Sequence, residues 1–137
     1  MAKANISLVQ PGKTTKEIQE LYDRVVANTG RVSPIFRVLA HKPEYLKSVI
    51  EKFELLWAET KLDMRSKHLV YLTVSIMNNS QLCIYSFTEK LKSMGVSDEE
   101  FVELYGVIDA ASGMNAVANG AGISVEHLQE AAQESKG

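Results

Sequence analysis

Only one cysteine, Cys83, occurs in this chain of 137 residues. That scarcity excludes an internal disulfide and any zinc cluster built on several thiolates. A lone thiol is best kept in a reducing compartment, so a cytoplasmic setting is the expectation. Histidine is nearly as rare: His41, His68 and His127 form no metal-ligand pair at helical spacing, and neither a metal nor a cofactor is expected. Basic residues show no excess, with 15 Lys and Arg against 17 Asp and Glu and a net charge of -2. A nucleic-acid partner is therefore not expected. No apolar run approaches the roughly 20 residues that cross a bilayer, and residues 1–10 lack the apolar stretch of a secretion signal. Neither membrane insertion nor export is expected.

What is present describes an ordinary globular chain, 45% hydrophobic and 23% charged, long enough to bury one core without staples. Residues 1–13 show no periodicity and end near Pro11-Gly12, so they read as an arm whose order depends on docking. Residues 14–137 read as a single domain. Ile18, Leu21, Tyr22, Val25 and Val26 recur at helical spacing, with Thr14 or Thr15 as cap and Gly30 as terminator. Ser33-Pro34 opens a short helical piece. Pro43 starts a longer one, with Leu46, Val49, Ile50, Phe53 and Trp57 on one stripe.

Residues 69–77 are apolar on all sides and rich in β-branched side chains, a pattern shared by buried strands and buried helices. The run continues a helix-compatible segment from Met64 and finds no partner strand elsewhere, which favours a buried central helix. Ser80 can cap a further helix reaching Gly95. Ser97 and Glu100 have the spacing of a capping box, ahead of Phe101, Leu104, Tyr105 and Ile108 on a core-facing stripe. Residues 110–122, rich in Ala, Gly and Asn, suit close helix contact or a broken helix, and Ser124 starts a last helix through Leu128. The sum is an all-α fold of about six helices, with the segments around 64–78 and 80–94 as a central antiparallel pair.

The stretches Pro34-Ile35-Phe36-Arg37-Val38-Leu39-Ala40-His41-Lys42-Pro43, Leu62-Asp63-Met64-Arg65, Val74-Ser75-Ile76-Met77-Asn78 and Gly95-Val96-Ser97-Asp98-Glu99-Glu100 resemble the carboxymuconolactone decarboxylase family, especially its AhpD-like alkylhydroperoxidase branch. Members of that branch carry a glutamate, eleven residues, a cysteine, two residues, a second cysteine, three residues and a histidine. Aligned without gaps, those positions become His68, Ser80, Cys83 and Phe87. Only the second cysteine is retained. A vicinal thiol pair lets one sulfur attack and its neighbour resolve the oxidised product, and Ser80 cannot resolve.

If the chain turns near Asn78-Asn79, His68 lies ten residues before the turn and Phe87 eight after it. At about 1.5 Å per residue the two are nearly level on antiparallel helices. An imidazole then meets a phenyl ring where the family has a carboxylate and an imidazole. A second register sets Cys83-Ile84-Tyr85-Ser86 on a Cys-x-Tyr-Cys form, with Lys90 at the histidine position and Tyr71 at the glutamate position, but its spacing to Gly95 is three residues short. In either register one thiol remains and the histidine is lost.

The resemblance implies three functions. One is a weak single-cysteine alkylhydroperoxidase of peroxiredoxin type, in which Cys83 forms a sulfenic acid that an external thiol reduces. The alternative is a non-catalytic family member that binds a small-molecule ligand or partner in the old pocket. A lactone decarboxylase-like enzyme, with His68 as general acid or base, is the third. The resemblance also implies a homo-oligomer, a trimer or a hexamer. Each candidate has a duller reading: Cys83 as a small buried hydrophobe, His68 as a hydrogen-bonded buried histidine, Lys90 as a solvated lysine.

Overall fold

The structure, a computed structural model, describes residues 3–137. Among these residues every regular element is helical, in the order α1 (Lys16–Thr29), α2 (Pro34–Leu39), α3 (Pro43–Leu56), α4 (Met64–Met77), α5 (Gln81–Ser93), α6 (Asp98–Ala121) and α7 (Val125–Glu134). The chain divides into two compact units, the first ending at Met64 and the second running Arg65–Gly137.

The first unit is built by α1, α2 and α3, with α3 packing on both of the others. Thr15 caps α1 by accepting from the Ile18 amide, and Gly30 closes it in the left-handed conformation at φ 78° that a side chain would oppose. Ser33 caps α2 through the Ile35 amide, and Pro34 and Pro43 stand in first turns where no amide hydrogen is needed. Ile18, Leu21, Tyr22 and Val25 of α1 bury against Leu46 and Ile50 of α3. From the expected α3 stripe, Val49, Phe53 and Trp57 are only half-buried. The arm is docked on this unit: the Val9 amide donates to the Arg37 carbonyl, the Tyr22 hydroxyl donates to the Val9 carbonyl at 2.9 Å, and His41 Nε2 lies 2.7 Å from the Ser7 carbonyl.

The second unit is centred on Leu72, Leu91, Val96 and Phe101, with Leu69, Ile76, Ile84, Phe87 and Leu104 packed around them. Residues 69–77 lie within helix α4, as the sequence pattern favours. Burial on all sides is not what this helix shows. His68, Leu72 and Ser75 are buried, whereas Val70, Val74 and Met77 form an exposed stripe, Val70 at 57%. The reason is geometric: α5 and α6 supply cover to one side of the helix. Ser75 is accommodated in the interior by donating its hydroxyl to the Tyr71 carbonyl one turn back, at 2.8 Å.

A short turn returns the chain from α4 to α5, with Asn79 in the left-handed region at φ 55°. The capping box at Ser97 is complete: its hydroxyl accepts from the Glu100 amide, and the Glu100 carboxylate accepts from the Ser97 amide at 2.8 Å. The small-residue segment does not break the helix, since α6 continues unbroken to Ala121 and closes on Gly122. Helix α7 runs on past Leu128 to Glu134.

Candidate functional site

Cys83 is the third residue of α5, half-buried, in the turn where a helix presents amides without intrahelical acceptors. Ser80, the residue before the helix, makes no side-chain cap bond. One turn further, Phe87 shares the face of Cys83, because residues four apart are neighbours on a helix surface. Helix α4 supplies the opposite wall. Tyr71 lies flat on Phe87, ring centroids 3.9 Å apart and planes inclined by 12°, while His68 meets the same phenyl ring at 5.5 Å and 44°.

The Tyr71 phenol and the Cys83 thiol are neighbours across α4 and α5, so four side chains from two helices make one cluster. Burial pushes the Tyr71 phenol above its ordinary value, and the charge of Cys83 pushes it further in the same direction. The phenol therefore keeps its proton at neutral pH and has it to donate. His68 is only 5% exposed and lies deeper than the thiol.

The sequence-derived candidates are thus placed as follows. His68 and Phe87 are brought into ring contact, and Cys83 lies one turn from Phe87. Ser80 ends the α4–α5 turn, its amide donating to the Ser75 carbonyl at 2.9 Å. Lys90 is exposed beyond Phe87 on α5. Tyr71 enters the sequence reading only through the second register, where its spacing of twelve to Cys83 puts it at the glutamate position. Among the described residues no group of three His, Cys, Asp or Glu side chains could hold a metal ion, and no helix is long and apolar enough to cross a membrane.

An open, largely apolar groove of about 390 Å³ lies on the same unit, lined by Ile76, Ile84, Tyr105, Ile108 and Asp109. Ile84 follows Cys83 directly in α5, which puts the groove and the thiol on neighbouring faces of one helix.

The family model for Carboxymuconolactone decarboxylase matches residues 43–126, more than half the chain and all of the cluster just described. The chain belongs to the carboxymuconolactone decarboxylase family. Within the solved structures, it is similar to the alkylhydroperoxidase AhpD core from Rhodospirillum rubrum, with a TM-score of 0.83 and 27% identity over 90% of this chain and 95% of that one. No curated protein sequence matches significantly. The fold is therefore that of the AhpD core, carried by a member of the carboxymuconolactone decarboxylase family whose cluster holds one thiol, one phenol, one imidazole and one phenyl ring.

Proposed function

We propose that this family member is a single-cysteine thiol peroxidase acting on hydroperoxides, with Cys83 as the attacking sulfur. The observation that carries the reading is the position of Cys83: half-buried, in the first turn of α5, with the Tyr71 phenol of α4 as its neighbour. A sulfur that opens a hydroperoxide must be reachable by it, and a half-buried thiol in the first turn of a helix keeps one side open. With a single cysteine, the sulfenic acid formed on Cys83 awaits a small external thiol. The first such thiol forms a mixed disulfide and releases water; the second restores Cys83. Dithiol chemistry that ends in an internal disulfide is expected to be absent.

A non-catalytic ligand-binding role is the second reading, favoured by the His68–Phe87 contact, which puts an aromatic ring where the family pattern has a histidine. The apolar groove beside α5 would then hold the ligand. A lactone decarboxylase role is served poorly, since the depth of His68 keeps its imidazole from a substrate carbon.

We also propose that the chain works as a homo-oligomer. Met114, Val117, Ile123, Val125 and Leu128 form a run of exposed apolar side chains along α6 and α7 that a second copy would cover.

The deciding experiment measures consumption of cumene hydroperoxide with a small thiol as reductant, alongside dimedone trapping of the sulfenic acid. Turnover and trapping in the wild type, both lost in Cys83→Ala, are the expected results. Turnover that survives Cys83→Ala would place the chemistry elsewhere, and absence of both in the wild type favours the binding role.

A further inference from the structure

We propose that Tyr71 is the proton donor of this site, delivering the proton that the leaving oxygen needs when Cys83 opens a hydroperoxide. The inference rests on the peroxidase reading and adds a residue to it. In that step the Cys83 thiolate attacks the terminal peroxide oxygen; a sulfur–oxygen bond forms and the oxygen–oxygen bond breaks. Sulfur is oxidised to the sulfenic acid, which keeps the hydrogen of the terminal oxygen, and the peroxide is reduced to an alkoxide. The alkoxide must gain a proton to leave as the alcohol, and water afterwards reprotonates the phenolate.

Three observations assign that proton to Tyr71. Its ring lies on Phe87, one helical turn from Cys83, and its phenol responds to the charge of the sulfur, so it lies beside the reacting atoms before any substrate arrives. Its ring is held by face-to-face stacking on Phe87, which fixes the plane of the phenol. Its partly buried phenol stays protonated at neutral pH, and an alkoxide is a far stronger base than a phenolate, so the transfer runs downhill. His68, the other titratable group against Phe87, lies deeper and faces the phenyl ring. In the second register Tyr71 and Cys83 occupy the glutamate and first-cysteine positions of the family pattern, so the same wall of the pocket carries the acid in a different chemical form.

The test uses Tyr71→Phe, which keeps the stacked ring and removes only the hydroxyl. Three electrophiles are compared on the wild type and the variant: cumene hydroperoxide, whose leaving alkoxide needs a proton; peracetic acid, whose leaving carboxylate does not; and iodoacetamide, whose leaving iodide does not. The expected result is a loss of about a hundredfold in sulfenic acid formation with cumene hydroperoxide, with the other two rates within a few-fold of wild type. An undiminished rate with cumene hydroperoxide would overturn the role while leaving the peroxidase reading intact. Equal losses with all three would also overturn it, since they would show that Tyr71 tunes or positions the thiol and does not supply a proton. A wild type that forms no sulfenic acid overturns the peroxidase reading, and the role with it.

Discussion

At the scale of single residues, the second unit turns on a few fully enclosed side chains. Leu72 and Leu91 have no exposure, so Leu72→Ala leaves a cavity and is expected to cost about 3 kcal/mol, read as a lower midpoint in urea unfolding with unchanged slope. The contact between His68 and Phe87 is legible in the amino-acid sequence, because counting residues from a turn at Asn78-Asn79 puts the two level on antiparallel helices. The partner of the thiol is not. A tyrosine beside an apolar helical run has the same signature as a core aromatic, and what distinguishes Tyr71 is its place across from Cys83 and Phe87, which periodicity does not encode. The exposed stripe of Val70, Val74 and Met77 is hidden for a related reason: an apolar side chain records that cover is wanted, without saying what supplies it.

At the scale of elements, the helix ends are the most legible part of the chain, since caps depend on local chemistry alone. Thr15, Gly30, Ser33 and Ser97 all act where their residue types point. His127 is the exception: its imidazole Nδ1 accepts from the Ser124 amide at 3.1 Å, filling the place of the acidic residue in the usual box. Glu100 does two jobs at the start of α6, accepting from the Ser97 amide and pairing with Arg65 of α4. The Ser97 amide first, and then Arg65, hold its carboxyl below the usual carboxylate range. A depressed folded value means that the stabilisation is present above the ordinary carboxylate range and is lost as pH falls through the folded one. Glu100→Gln should therefore lower the melting temperature at pH 7 and lose most of that difference at pH 3. A difference that stays constant between the two pH values would remove the charge from the account. Ser97→Ala, which deletes the other half of the box, should cost about 1 kcal/mol at either pH.

At the scale of the whole molecule, the exposed apolar residues of α6 and α7 lead to an expectation about mass. Light scattering at micromolar concentration should give a multiple of the chain mass. The pair Met114→Glu and Val117→Glu should shift it towards one copy while helical circular dichroism is retained; a wild type of single-copy mass would refute the assembly. The turn at Asn79 bears on another property, the order in which the chain folds. It joins α4 to α5 with a residue in left-handed backbone, a conformation asparagine tolerates better than other residues with a Cβ. A two-helix hairpin closed by so short a connection loses little chain entropy on forming, so its contacts can appear ahead of those that join distant segments. Asn79→Ala should then slow refolding and leave unfolding nearly unchanged, the kinetic mark of a turn already made at the barrier.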